Sequence, residues 1–387
     1  MFVFLKKLSP LFLMVFISIG VYLYLQEDKY IKGNKIKLLE FADLSGFNRK
    51  RSENFNAGME AYFKYVNEKG GIFDRNISLI KIDSKGEIDY AIEDVEKSLN
   101  EILSFFGVID FCSSKRILEL FAKNTKPLIM PFSPAAFLKK EYEGKYYFIT
   151  PTIEDEINAF LDYLESQEIR SFSIICEDNL CMRTILKEVE NFSKDRRMEI
   201  EDVAFYKKNT YLLSKAYEKL SVFYPKAVLT LGSYKEIGNF IKRAVKGEKF
   251  AETLFLVPSY VGIDAFLEEI KDIEEVSFIF SQPVFSPFED KIILKDYRKI
   301  MKTYFPEEKL GFDSLKGFLY AKIFILGLEN VGERVSGEKI LNSLKKIPYI
   351  KYNRENLIKA VDTNGMLNKI YLFKYTNKKI FMIDQER

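Results

Sequence analysis

From Lys35 onward, short runs of apolar, β-favouring residues alternate with amphipathic stretches of helical spacing along most of the chain. This alternation is typical of βαβ units, which place their strands in a mainly parallel sheet. The runs form two series, one before Pro151 and one after it. Because 387 residues exceed one ordinary core, the sequence predicts two doubly wound α/β lobes.

The first series predicts four or five strands, and the second predicts four more. The predicted strands are residues 35–41, 77–82, 106–111, 127–132 and 147–150, followed by 171–176, 203–206, 227–231 and 254–257. Residues 278–283 lead into a loop, after which the pattern predicts helices near 291–304 and 314–330 and strands at 358–361 and 369–375, split by a turn at 362–365. These last elements cannot stand alone, so we expect them to complete the sheets of the two lobes.

The predicted topology makes the chain cross between the lobes three times, with Pro151 and Pro283 at two of the crossings. We predict lobe 1 from residues 34–150 and 282–360, and lobe 2 from residues 151–281 and 361–387. Residues 1–33 form a separate signal peptide or membrane anchor.

The N-terminus has the pattern of an export signal. Lys6 and Lys7 precede an apolar run at residues 8–25, which we expect to be helical. The run is either a signal peptide cleaved after Gly20 or a retained anchor, and retention is slightly favoured because cleavage leaves apolar residues 21–25 exposed. The protein is therefore expected in the periplasm or on the outer face of the cytoplasmic membrane.

Composition excludes several classes of function. The chain has no histidine, which removes serine–histidine and cysteine–histidine catalysis. Its 59 basic and 56 acidic residues nearly balance, so a nucleic-acid partner is not indicated. The sequence contains no glycine-rich dinucleotide or phosphate loop, and we expect neither a cofactor nor a metal, nor an enzymatic activity.

Three cysteines, Cys112, Cys176 and Cys181, are too few for a disulfide framework. A bridge between Cys176 and Cys181 is one alternative. The alternative that we favour has a free Cys176 packed in a strand and a free Cys181 at a loop, since free cysteine is usually buried.

Several short segments occur in a fixed order along the chain: residues 56–61 (NAGMEA), 66–72 (VNEKGGI), Asp83, 107–109 (GVI), 127–131 (PLIMP), 317–332 and the Asn364-Gly365 pair. Together they resemble the periplasmic proteins that bind leucine, isoleucine and valine. Their order and spacing over most of the chain carry the resemblance. It implies the type 1 periplasmic-binding fold and a small ligand held between the two lobes.

In open α/β sheets, ligands bind beyond the carboxyl ends of the strands, where loops and helix N-termini converge. Serines at these positions supply hydroxyls and free N–H groups that suit a carboxylate, although each is alternatively only a helix cap. The candidate ligand-binding residues are Ser45, Ser113, Ser114, Ser133, Ala135, Cys181, Tyr234, Ser259 and Tyr260.

The resemblance implies that Ser113 or Ser114 and the turn at 133–135 hold a ligand carboxylate, with Tyr234 in the cleft wall. Where the amino-acid binders place a glutamate for the ligand ammonium, this chain has Ser259, and it has Cys181 and Met182 in place of a Tyr-Gly pair. The ligand is therefore not necessarily an α-amino acid. Asp110 or Asp178 could replace the missing anion, and Tyr211, Tyr234 and Tyr260 could provide aromatic faces.

The sequence thus predicts an extracytoplasmic solute-binding protein that takes up an amino acid, amide or small organic acid. Its expected partners are this small-molecule ligand, the permease of an ABC transporter, and the membrane through the N-terminal segment. A membrane-anchored sensory ectodomain with the same closing motion is the alternative.

Overall fold

The computed structural model describes residues 33–110, 114–347, 349–352, 355–359 and 369–383. The predicted N-terminal segment, Cys112, Ser113 and the turn at 362–365 lie outside these residues. Within the described ranges, no helix combines the length and the apolar composition needed to span a bilayer.

The strands and helices alternate as the sequence pattern predicts. The strands are β1 (Lys35–Ala42), β2 (Asn76–Asp83), β3 (Ser104–Phe106), β4 (Leu128–Ile129), β5 (Tyr146–Tyr147), β6 (Ser171–Glu177), β7 (Glu199–Tyr206), β8 (Ala227–Leu231), β9 (Leu254–Val257), β10 (Ser277–Gln282), β11 (Tyr349–Tyr352), β12 (Glu355–Lys359), β13 (Tyr371–Thr376) and β14 (Lys379–Met382). The helices are α1 (Arg49–Glu68), α2 (Ile92–Ser98), α3 (Lys115–Lys123), α4 (Ala136–Glu141), α5 (Ile153–Ser166), α6 (Leu180–Asp195), α7 (Ser214–Ser221), α8 (Tyr234–Ala244), α9 (Ile263–Glu269), α10 (Ile292–Tyr304), α11 (Phe312–Glu329) and α12 (Gly337–Lys346).

Two sheets with the same winding form the two lobes. The sheet of lobe 1 is parallel, in the order β2-β1-β3-β4-β5. The sheet of lobe 2 contains the parallel strands β7-β6-β8-β9-β10. When strands are counted from the first strand of each lobe, the two sheets have the same order. β13 then pairs antiparallel with β10, and β14 with β13, at the edge of this second sheet.

After β10, the chain returns to lobe 1 through α10 and α11, which pack against α1. The crossing of α1 and α11 is unusually close because glycine stands at both contact points. A Cβ added to Gly58 would lie 1.8 Å from the carbonyl oxygen of Ser314, and one added to Gly317 would lie 2.1 Å from that of Phe55. The small residues that the sequence places on α1 therefore serve close helix packing.

The structure corrects three of the predicted elements. The strand predicted at 106–111 ends at Phe106, because Gly107 and Asp110 adopt positive φ angles of 65° and 58° that interrupt extended backbone. The segment predicted to lead into a loop at 278–283 is the strand β10, whose Phe278 and Phe280 are buried. Among the described residues, β12 pairs with β11 in a separate two-stranded sheet and does not complete either lobe.

Candidate functional site

The loops that follow the strands of the two sheets meet in one cleft. The ring of Phe47, after β1, lies 4.7 Å from the ring of Tyr211, after β7, measured between centroids. Gly86, after β2, approaches Asn209 so closely that an added Cβ would lie 2.9 Å from its Nδ2. The two lobes therefore touch across the cleft, as in a closed conformation.

Arg51 is buried between the lobes at the start of α1. Its Nη2 donates hydrogen bonds to both carboxylate oxygens of Asp110, at 2.9 and 3.0 Å. Its Nη1 donates to the carbonyl oxygen of Tyr260 at 3.2 Å and to Oγ of Ser233 at 3.5 Å, both in lobe 2. One guanidinium of lobe 1 thus binds groups of both lobes.

Asp110 accepts hydrogen bonds from the opposite lobe as well. Nζ of Lys208 donates to its Oδ2 at 2.9 Å, and the hydroxyl of Tyr260 donates to its Oδ1 at 3.3 Å. Asp110 follows β3 in the left-handed backbone region, with a φ of 58°, which aspartate tolerates better than most residues. We call the residues Arg51, Asp110, Lys208 and Tyr260 the cleft cluster.

The charges of the cleft cluster stabilise one another. Burial opposes ionisation of Asp110, but Arg51 and Lys208 outweigh it and hold the pKa of this carboxyl well below its usual range. Burial likewise opposes the charge on Lys208, yet Asp110 keeps the pKa of its ammonium above the ordinary value. Both groups are therefore ionised at neutral pH.

Two aromatic rings lie near the guanidinium of Arg51. The Cζ atom of Arg51 lies 5.3 Å from the ring centroid of Tyr260 and 5.8 Å from that of Phe132. Lys316, which is buried in α11, places its Nζ 3.4 Å from the same Phe132 ring and makes no hydrogen bond within the described residues. Gly262 leaves room for Arg51, since an added Cβ would lie 2.6 Å from the Cγ of the arginine.

Three of the nine candidate ligand-binding residues lie at this cleft, in addition to Asp110. Tyr260 belongs to the cleft cluster, and Tyr234 begins α8 with its hydroxyl against the backbone of Lys50. Ser133 follows Phe132, and its buried hydroxyl makes no hydrogen bond in the described part of the chain.

The other predicted residues have different roles in the structure. Ser45 is exposed and donates to Oδ2 of Asp83 at 2.5 Å, and Ser114 caps α3 by accepting from the N–H of Arg116 at 3.2 Å. Ala135 precedes α4, with its N–H 3.3 Å from the hydroxyl of Tyr146.

Ser259 is held by a buried glutamate of the neighbouring helix. Its N–H and its hydroxyl each donate to Glu156 of α5, both at 2.7 Å, and the hydroxyl of Ser281 donates to the same carboxylate. These bonds join α5 to the ends of two strands of lobe 2.

The cysteines differ from expectation at one position. Cys176 is a free, buried thiol of β6, as expected. Cys181 lies in the first turn of α6 rather than in a loop, and it is disulfide-bonded. A Cys176–Cys181 bridge is excluded, and a free Cys181 is wrong as well, because pairing depends on which thiols the fold brings together rather than on their spacing.

Asp178 and Tyr211, the other candidates, lie toward solvent. Oδ1 of Asp178 accepts from Nε of Arg183 at 2.6 Å in a partly exposed pair. The ring of Tyr211 is half exposed at the rim of the cleft. Of the two aspartates that could replace the missing anion, only Asp110 belongs to the cleft cluster.

The sequence reasoning missed Arg51, Lys208 and Lys316. A signal for Arg51 is present, because it precedes Phe55 by four residues and so continues the apolar face of α1. Lys316 similarly lies within an otherwise apolar stretch of α11. A charged residue on a buried helical face indicates a buried partner or a site.

Two parallel lobes of identical winding that close on a buried polar cluster define a two-lobed binding protein with the type 1 periplasmic-binding fold. The chain belongs to the periplasmic binding protein family, whose model matches residues 35–379. No curated protein sequence matches the chain.

Solved structures of low sequence identity share the fold. A protein from Rhodopirellula baltica SH 1, described as a possible leucine/isoleucine/valine-binding protein, is 18% identical, with a TM-score of 0.81, over 92% of this chain and 97% of that one. A leucine-binding protein from Thermotoga maritima MSB8 is 14% identical, with a TM-score of 0.74, over 90% and 98%. A solute-binding protein from R. palustris in complex with benzoate is 14% identical, with a TM-score of 0.73, over 90% and 95%.

Proposed function

We propose that this protein captures a small polar or amino-acid-like solute between its lobes and delivers it to the permease of an ABC transporter. The observation that carries this proposal is the cleft cluster, because its hydrogen bonds join lobe 1 to lobe 2 at the carboxyl ends of both sheets. A ligand that contacts both lobes there stabilises the closed state.

The chemistry around Phe132 favours a ligand with an anionic end. Nε of Arg51, Nζ of Lys316 and the hydroxyl of Ser133 are buried and lack acceptors within the described residues. Lys316 and Arg51 both lie against the Phe132 ring, which adds an apolar face. A carboxylate supplies the missing acceptors, and the solved relatives described as binding leucine or benzoate also take carboxylates.

Family membership supports an extracytoplasmic location. We place the folded lobes outside the cytoplasmic membrane, in the periplasm or at its outer face. Residues 8–25 then serve as a cleaved signal or as a retained anchor.

A ligand screen tests capture in the cleft. Amino acids, amides, urea, short organic acids and aromatic acids are compared by thermal shift, and any compound that raises the melting temperature is then examined by small-angle X-ray scattering. We expect Lys208→Met to weaken binding of that compound at least about tenfold, which corresponds to roughly 1.4 kcal/mol.

Lys97→Met is the matched control, because the Lys97 side chain is 71% exposed on α2 of lobe 1 and outside the cleft. It is expected to bind like the wild type. Equal affinity of the Lys208→Met variant and the wild type contradicts the proposed cleft.

Delivery is tested separately from capture. Permease and ATPase genes beside this gene, together with loss of uptake of the bound solute on deletion, support transport. A neighbouring signalling gene with unchanged uptake favours the sensory ectodomain instead.

A further inference from the structure

Lobe 2 faces the cleft with three buried oxygens that have no hydrogen-bond partner within the described residues. They are Oε2 of Glu177, the hydroxyl oxygen of Tyr206 and Oε2 of Glu236. Both glutamates are fully buried, and Tyr206 is 5% exposed. A buried oxygen without a donor is costly, so the three positions call for a group that supplies hydrogen atoms.

The three side chains come from adjoining elements of lobe 2. Glu177 and Tyr206 are directly paired neighbours at the ends of β6 and β7. The Tyr206 hydroxyl reaches the base of α8, since a Cβ added to Gly232 would lie 1.6 Å from it, and Glu236 stands in the first turn of that helix. Beside burial, the charges of both glutamates raise the pKa of the Tyr206 hydroxyl, because both carboxyls lie near it.

Each glutamate is held in place by its other oxygen. Oε1 of Glu177 accepts from Nδ2 of Asn179 at 2.7 Å, and Oε1 of Glu236 accepts from the N–H of Asn209 at 2.8 Å. The two carboxylates are thus fixed, and one oxygen of each makes no hydrogen bond of normal geometry within the described residues, although the Asn48 side chain lies beside Glu236. Such a fixed pair of acceptors is preorganised for an incoming group.

The cations of the cleft cluster are already engaged elsewhere. Nζ of Lys208 donates to Asp110, and the terminal nitrogens of Arg51 donate to Asp110, Ser233 and Tyr260. Arg51 and Lys208 thus offset Asp110, and no cation within the described residues bonds to Oε2 of either glutamate. An ammonium supplies both the missing donors and a charge that favours ionised glutamates, whereas a neutral donor supplies only the donors.

We propose that the ligand carries a primary ammonium group whose three N–H donors bind Oε2 of Glu177, the Tyr206 hydroxyl and Oε2 of Glu236. This inference rests on the proposed function and specifies its ligand as an amine or a zwitterion. Three donors match three acceptors, and a compact ammonium is the cation that presents three donors from one atom. These side chains then take the part of the anion that is missing at Ser259.

The first experiment uses methylammonium chloride as the probe, because it is the smallest group that presents a primary ammonium. Its effect on the melting temperature of the full chain is compared with sodium chloride at equal ionic strength and with acetamide. We expect methylammonium to stabilise the wild type specifically. A response no greater than that to sodium chloride, or equal to that of acetamide, overturns the proposal.

Variants locate the effect. Glu236→Gln removes the charge of one acceptor, and Tyr206→Phe removes another acceptor altogether. We expect the methylammonium concentration that gives half of the full effect to rise roughly tenfold in Glu236→Gln. Glu190→Gln, on the exposed side of α6, is the control and is expected to match the wild type. An unchanged response in both cleft variants overturns the assignment.

Three four-carbon compounds separate this inference from the proposed function. We expect 4-aminobutanoate or 1,4-diaminobutane, but not succinate, to raise the melting temperature and contract the protein in X-ray scattering. If succinate alone closes the lobes, the cleft binds a solute but the ammonium site is refuted. If methylammonium binds through Glu236 while no compound of the wider screen closes the lobes, the ammonium site stands and solute capture by closure fails.

Discussion

The buried charged side chains of the cleft differ in whether a group of opposite charge lies beside them. Arg51 and Asp110 neutralise each other directly, with Lys208 adding a second cation. Glu177 and Glu236 lack such a partner on one oxygen each, and burial raises the pKa of both, that of Glu236 to about 7. The paired residues, Arg51, Asp110 and Lys208, make the contacts that close the lobes. The glutamates that lack a partner on one oxygen are the ones proposed to bind the ligand.

Glu40 shows what an unneutralised buried carboxyl does to stability. It lies in β1, fully buried, with Oε2 accepting from Nδ2 of Asn56 at 3.0 Å and Oε1 without a partner in the described part of the chain. Burial raises its pKa to about 8. Because the folded state then binds this proton more tightly than the unfolded state, Glu40 lowers stability as the pH rises from about 4.5 to about 8.

We therefore expect Glu40→Gln to change the pH dependence of unfolding. The difference between the free energies of unfolding of the variant and the wild type should rise by on the order of 5 kcal/mol between acidic and alkaline pH. Urea unfolding at several pH values measures this difference. Glu190→Gln, at an exposed position, is the control and should not show this change in stability between acidic and alkaline pH. If the plots of unfolding free energy against pH for Glu40→Gln and the wild type run parallel, the expectation is contradicted.

At the scale of elements, the crossing of α1 and α11 positions the cleft. Arg51 and Lys316 lie on these two helices, and each contacts the Phe132 ring from its own helix. The helices approach closely because Gly58 and Gly317 remove the side chains at the contact. A change in the crossing distance therefore moves both cations relative to the ring.

Two glycines of α11 provide a matched test of this packing. Gly317→Ala places a methyl group 2.1 Å from the backbone oxygen of Phe55, which cannot move without shifting α1. We therefore expect the free energy of unfolding to fall by roughly 2 kcal/mol. Gly327→Ala meets the flexible Leu344 side chain at 2.6 Å and gains the same helix propensity, so it should cost less. Equal losses in urea unfolding would show that the helix crossing is not tight.

At the scale of the whole molecule, the cleft cluster holds the lobes together. Asp110 of lobe 1 accepts from Lys208 and Tyr260 of lobe 2, while Arg51 donates to lobe 2 in the other direction. These bonds are made only when the lobes touch. They bias the molecule toward closure before any ligand contributes.

Asp110→Asn is expected to open the molecule and to destabilise it by roughly 3 kcal/mol, since it leaves two buried cations without their carboxylate. X-ray scattering should report a larger radius of gyration, and urea unfolding the loss of stability. Asp178→Asn is the control, because its pair with Arg183 is partly exposed and worth at most about 1 kcal/mol. An unchanged radius for Asp110→Asn would show that the cluster does not control closure.

Much of the fold could be predicted from the sequence. The observed β8 has the bounds that the pattern predicts, while β1 is one residue longer at its carboxyl end and β2 is one residue longer at each end. Strand β10 was missed because Pro283 and the following loop residues outweighed its short apolar run. The candidate site was predicted less well, since Ser114 turned out to cap a helix and Ser259 to bind Glu156.

The sequence by itself determined the two α/β lobes and the alternation of strands and helices, because hydrophobic periodicity and turn residues act over a few neighbouring positions. The order of several such segments also indicated the family. Only the tertiary structure decided which charges meet. Asp110 is 59 residues from Arg51 and 98 from Lys208, and no local pattern relates them. Their pairing depends on how strand ends and helix starts of two separate lobes converge, and it leaves Glu177, Tyr206 and Glu236 for the proposed ammonium ligand.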